Sequence, residues 1–129
     1  MPFQATAFSA AADVKSAITK QIQPGETALI PLGFKAAIPP MHVMLLFIRS
    51  GTAKKGLALA NGVGVIDSDY RGDVCALVHN STSQPIEIER GQRIAQFIIL
   101  PLPVVSLVPV QSLSTTARGE GGFGSTGTH

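Results

Sequence analysis

Val65-Ile66-Asp67-Ser68-Asp69-Tyr70-Arg71-Gly72-Asp73-Val74 holds the residue types best suited to chemistry in this chain: carboxylates, a cation, a glycine and the only tyrosine. The apolar runs on either side, Val63–Ile66 and Val74–Val78, read as strands, and the polar cluster between them reads as their hairpin. Asp67 then sits where the first strand ends, and a carboxylate on a rigid strand end is well placed for chemistry. Asp in a turn also hydrogen-bonds its own backbone, so the segment taken alone leaves both roles open for Asp67 and Asp69.

Three further clusters share this character. Arg49-Ser50-Gly51 follows the apolar run Val43–Ile48 and puts a cation, a hydroxyl and a flexible backbone at a strand end. Arg90-Gly91-Gln92-Arg93-Ile94-Ala95-Gln96 opens another strand with two arginines, where Gln96 either shares a face with Ile94 or points the other way into a site. The last twelve residues, Arg118 to His129, contain five glycines around a lone aromatic, Phe123, followed by Ser125 and Thr126. Such a tail has little intrinsic reason to fold and reads either as a disordered terminus or as a phosphate-clasping loop. For the second role, glycines let backbone N–H groups converge on an anion, hydroxyls add donors, Arg118 supplies charge and Phe123 a lid.

These residues need a scaffold, and the chain supplies the material for one domain: 129 residues, 45% of them hydrophobic. Short β-branched runs recur between turn signals at Thr27–Phe34, Val43–Arg49, Leu57–Ala60, Val63–Ile66, Val74–Asn80, Pro85–Glu89, Arg93–Leu100 and Val104–Val108. That cadence predicts an all-β sandwich, barrel or jelly roll. Ile86 and Ile88 alternate with Glu87 and Glu89, as in a strand wet on one face. Val43–Ile48 is apolar on both faces and is either deep core or a subunit contact. Ala10–Ala17 is placed as extended. The domain is expected over residues 1–111, with a flexible arm over 112–129.

Composition excludes several classes. Pro101, Pro103 and Pro109 break the apolar stretch Ile94–Val110, so it cannot run as a spanning helix. The beginning Met1-Pro2-Phe3-Gln4 has no basic segment followed by an apolar one, so a cytoplasmic location is expected. Cys75 is alone and flanked by apolar residues, which predicts a buried strand residue. The net charge of +2 comes from scattered Lys and Arg, without the footprint of a duplex-binding surface. His42, His79 and His129 lie far apart with no partners at metal-ligand spacing.

Taken together, the clusters resemble the trimeric dUTP diphosphatases, the dUTPases, whose five motifs occur here in order from Ser9 to Gly127. The first is Ser9-Ala10-Ala11-Ala12-Asp13-Val14 and the second Arg49-Ser50-Gly51; the third is Gly64 through Gly72, with Asp67-Ser68-Asp69-Tyr70 at its centre. The fourth is Gly91-Gln92-Arg93-Ile94-Ala95-Gln96 and the fifth Arg118 through Gly127. The third and fifth are highly specific.

The resemblance implies an all-β, jelly-roll-like homotrimer with three active sites, each shared between subunits and closed by a neighbour's glycine-rich arm. It implies hydrolysis of dUTP to dUMP and pyrophosphate, which keeps uracil out of DNA and supplies dUMP for dTMP synthesis. By family position Asp67 is the base that activates the attacking water, and Gln96 helps to hold that water. Arg49, Ser50, Gly51, Arg118, Ser125 and Thr126 match phosphate ligands, with Gly122 and Gly124 in the clasping backbone. Mg²⁺ is implied as cofactor, held mainly by the triphosphate and waters, with Asp13 in its outer shell. Tyr70 resembles the residue that packs on deoxyribose and refuses a 2′-hydroxyl. Phe123 would stack on uracil, and Asn61 matches a position that hydrogen-bonds uracil in some members, although Asn61-Gly62 also reads as a plain turn.

Ile48, Ala11 and Val14 depart from the family's usual residues, and the loop from Arg49 to Asn61 is one residue short, which leaves Lys54 and Lys55 without a role. Alternative readings are a dCTP deaminase-like or bifunctional relative, or a non-catalytic dUTPase-like trimeric scaffold. The Asp67–Tyr70 form and the complete fifth motif favour the uracil enzyme.

Overall fold

The computed structural model describes all residues, 1–129. Nine strands and one helical turn follow in the order β1 (Ala12–Lys15), β2 (Lys20–Ile22), β3 (Thr27–Pro31), β4 (His42–Ile48), α1 (Ser50–Ala53), β5 (Leu57–Leu59), β6 (Gly64–Ile66), β7 (Cys75–Asn80), β8 (Ile86–Ile88) and β9 (Arg93–Pro101). They form three antiparallel sheets, ordered β1-β9-β4-β6, β2-β8 and β3-β7-β5. Sixteen buried apolar residues drawn from all three sheets make one core, including Ile22, Ile30, Met44, Leu46, Val78 and Ile88. The all-β, jelly-roll-like expectation holds.

Alternation explains how the strands face that core. Ala76, Val78 and Asn80 of β7 are buried while Cys75, Leu77 and His79 are half-buried. Asn80 is admitted because its amide donates to the carbonyls of Ile22 (3.0 Å) and Gln84 (2.8 Å), and its oxygen accepts from Thr82. In β4, Met44 and Leu46 are fully buried, whereas Leu45 and Phe47 on the opposite face are only half-buried. Leu45 stands in register with Val65 of β6 and Ile98 of β9, and Val65 is 65% exposed. The second face of this sheet is therefore apolar and uncovered within one chain.

Three expectations need correction. Residues 104–108 form no strand: Val104 and Leu107 are 88% and 96% exposed, because after Pro101 and Pro103 the chain finds no free edge of its own to pair with. β6 and β7 are not the two arms of a hairpin. β6 pairs with β4, and β7 with β3 and β5, so Asp67–Asp73 steps from one sheet to another over a stretch longer than a tight hairpin allows. Cys75 is half-buried rather than fully buried, since it begins β7 at the rim of the core. β2 and α1 were not anticipated; each is a single short element with one fully buried side chain, Ile22 or Thr52.

Candidate active site

Asp67 follows the last residue of β6, as expected. The loop it opens is closed by hydrogen bonds that use no carboxylate. The Tyr70 N–H donates to the Asp67 carbonyl (3.2 Å), and the Arg71 guanidinium donates to the carbonyls of Ser68 (2.7 Å) and Tyr70 (3.1 Å). The Tyr70 hydroxyl donates to the Asp73 carbonyl (3.0 Å). Arg71 and Tyr70 thus do the turn-forming, and the Asp67 carboxylate takes no part in it. It faces a cavity of about 350 Å³ together with Asn61 and Tyr70, over an apolar floor that includes Leu46, Leu59 and Val74. A half-apolar cleft of this size with a few convergent polar groups suits a small organic ligand.

Cys75 also lines this cavity. Its thiol points at the Asp73 carbonyl (3.6 Å), and burial, with a smaller push from the Asp73 charge, raises its pKa. Nothing in the sequence beyond its place one residue after Val74 marked it as a cavity residue.

A second cavity, of about 310 Å³, brings together Ser9, Asp13, Arg49, Ser50 and Gln96. Asp13 stands directly opposite Gln96 in the β1–β9 ladder. Its buried carboxylate accepts from Arg49 Nε at 3.1 Å and from Arg93 Nη1 at 3.2 Å, so each oxygen holds one guanidinium. Phe3 packs over Arg93 and Lys15, each 5.6 Å from its ring centre, and bonds by its backbone to Asp13. Arg49 is the extended residue before α1, so the Ser50 and Gly51 N–H groups open a helical turn with no acceptor in the chain. Free amides, the Arg49 guanidinium and the Ser50 hydroxyl offer donors to an anion there, with Arg93 behind them balancing the Asp13 charge. Arg93 as the second partner of Asp13 was not foreseen, although it lies inside the fourth motif.

The orientation of Gln96 is settled by a β-bulge. Arg93 pairs with Lys15 and Ala95 with Val14, so Ile94 is an extra residue that resets the alternation. Ile94 turns fully into the core while Gln96 stays half-buried at the cavity.

The two cavities share no residue: the first lies between β6 and the β3-β7-β5 sheet, the second beside β1, β9 and the start of α1. Ile66 pairs with Met44, so Asp67 is level with Val43, whereas Gln96 pairs with Phe47 and Arg49 lies farther on. Four residues of strand, about 13 Å, and two strand spacings, about 10 Å, separate Asp67 from Gln96. No single water or phosphate of a ligand can touch both within one chain.

The tail meets neither cavity. Past Leu102, whose N–H donates to the Met41 carbonyl (2.7 Å), every hydrogen bond of the tail is internal. Arg118 Nε donates to the Gly121 carbonyl (2.8 Å), and Gly122 and Gly124 accept from the N–H groups of Ser125 and Gly127. Phe123 sits in the left-handed region with φ of 52° between glycines and is fully exposed. Ser125 and Thr126 are exposed beside it, as are Lys54 and Lys55 after α1. No group of three or more His, Cys, Asp or Glu side chains converges on a metal-sized space.

A family model described as dUTPase matches residues 1–127. The chain is 46% identical to a deoxyuridine 5′-triphosphate nucleotidohydrolase of Methylocella silvestris, over 98% of this chain and 82% of that protein. It is 44% identical to one of Desulfitobacterium hafniense, over 98% and 87%. Among solved structures, the dUTPase of Staphylococcus bacteriophage 80alpha with dUpNHpp superposes with a TM-score of 0.91 at 30% identity, over 99% of this chain and 92% of that one. The dUTPase of Streptococcus mutans gives 0.78 at 37% identity, over 82% and 88%.

Proposed function

The chain belongs to the dUTPase family, and on that premise we propose that it hydrolyses dUTP to dUMP and pyrophosphate in the cytoplasm, as a homotrimer whose active sites are shared between subunits. The observation that carries the shared site is the separation of Asp67 from Gln96 and Arg49 at opposite ends of one sheet. A nucleoside half and a phosphate half that cannot meet in one chain become one site when two copies are juxtaposed. The uncovered apolar face around Leu45, Val65 and Ile98, continued by the exposed valines and leucines after Pro101, is the surface for that association.

In the assembled site the uracil and deoxyribose occupy the cavity beside Asp67. The Tyr70 ring packs on the sugar and leaves no room for a 2′-hydroxyl, and Asn61 offers its amide to the base edge. Asp67 accepts a proton from the water that attacks the α-phosphorus, and the neighbour's Gln96 orients that water. The neighbour's Arg49, with the amides and hydroxyl at Ser50 and Gly51, receives the phosphates as charge moves to the leaving pyrophosphate. The arm of a further copy then closes, with Phe123 over the base and Arg118, Gly122, Gly124, Ser125 and Thr126 around the terminal phosphates.

The residues present fit a magnesium ion carried chiefly by the triphosphate. Asp13 is the only carboxylate of the phosphate half, and each of its oxygens keeps a lone pair for a metal-bound water after holding its arginine. When bound, Mg²⁺ neutralises phosphate charge. The test is pyrophosphate release with Mg²⁺ and each deoxynucleoside triphosphate in turn. Release from dUTP alone is expected; comparable release from dCTP or dTTP would overturn the assignment.

A further inference from the structure

We propose that Gly72 is the positioning residue of the sugar gate: its missing side chain is the seat on which the Tyr70 ring lies. This rests on the reading of Tyr70 as the ring that packs against deoxyribose. Glycine in such a loop is ordinarily explained by a left-handed backbone. Gly25, Gly33, Gly56, Gly62 and Gly91 all have that conformation here, but Gly72 does not, so its backbone is open to any residue. What excludes a side chain is the ring. A methyl group at Gly72 would overlap the Tyr70 hydroxyl and stand 2.5 Å from Cζ and 2.9 Å from Cε2.

The ring is held against this seat from its far end. The Tyr70 hydroxyl donates to the carbonyl of Asp73, the residue after Gly72, and the same carbonyl accepts the Cys75 thiol. At the near end the Tyr70 N–H donates to the Asp67 carbonyl, so one short loop fixes both the ring and the base of the reaction. Tyr70 is nevertheless 45% exposed and is not held by core packing. An added methyl would expel it toward solvent instead of distorting the backbone. The expected consequence is specific: the sugar pocket opens while Asp67 keeps its place just after β6.

The chain has one tyrosine and no tryptophan, so its intrinsic fluorescence reports on Tyr70 alone. In Gly72→Ala, quenching of that fluorescence by acrylamide should rise, and preference for dUTP over UTP should fall by about tenfold or more. The preference should fall mainly through a higher KM for dUTP, with kcat at saturation changed less. Tyr70→Leu should relax the same preference, and adding Gly72→Ala to Tyr70→Leu should change it no further than about twofold. Tyr70→Phe, which keeps the ring but frees it from Asp73, should relax it to a smaller degree and covers the case in which Gly72→Ala does not fold. Unchanged preference and unchanged quenching in Gly72→Ala, or intact preference in Tyr70→Phe where the alanine variant does not fold, would overturn the proposal. Full preference retained in Tyr70→Leu would instead overturn the gate reading on which it rests.

Discussion

Asp67 and Asp69 show how little residue type decides without position. Both are acidic and two residues apart, yet the loop's hydrogen bonds are made by Tyr70 and Arg71, and of the two only Asp67 lines the cavity, where Asp73 is the other carboxylate. Asp67→Asn keeps the size and loses the proposed proton acceptor. It should bind dUpNHpp within a few-fold of the unaltered protein while turnover falls about 10²- to 10⁴-fold, measured by pyrophosphate release. Normal turnover would remove Asp67 as the base. Cys75 carries a pH signature at the same cavity. Its pKa is raised in the fold by burial, so the folded chain holds the thiol proton more tightly than the unfolded chain does. That contribution to stability is present at neutral pH and is lost as pH rises through the ordinary thiol range and past the raised value. Alkylation by iodoacetamide should accordingly be slower in the folded than in the unfolded protein at pH about 8, and dUMP should slow it further by filling the cavity. Equal rates in the two states would contradict that environment.

At the scale of elements, the strand cadence and the end-of-strand placement of Asp67 were readable in the sequence because alternation and turn residues are local signals. Which strands pair is not local. Val63–Ile66 and Val74–Val78 are neighbours in sequence but members of different sheets, and only the register of β6 with β4 discloses it. The choice of face for Gln96 likewise depended on a bulge at Ile94 that nothing in Arg93-Ile94-Ala95-Gln96 marks. Val104–Val108 has strand composition but no partner within the chain, so composition alone overstated it. The arm from Ser112 onward is bonded only to itself, which makes it separable from the β domain. Deleting 112–129 should leave the proposed trimer intact by light scattering while catalysis is severely impaired. An unaffected rate would return the tail to an accessory terminus.

On the proposed function, the whole molecule is defined by what one copy leaves unfinished. A single chain places Asp67 and its cavity toward one end of the β4–β6 ladder, Arg49 and a second cavity past the other end of β4, and leaves an apolar face uncovered. Arg49 and Asp67 are far enough apart that variants at the two positions disable different halves of any shared site. Mixing Asp67→Asn with Arg49→Ala tests that directly: each protein alone is inactive, and the two are unfolded together, refolded at equal amounts and assayed for pyrophosphate release from dUTP. Sites that draw their base from one chain and their phosphate ligands from another should reappear at about one quarter of the total. No recovery at any mixing ratio, with the unaltered protein refolding to full activity under the same treatment, would contradict a site built between subunits.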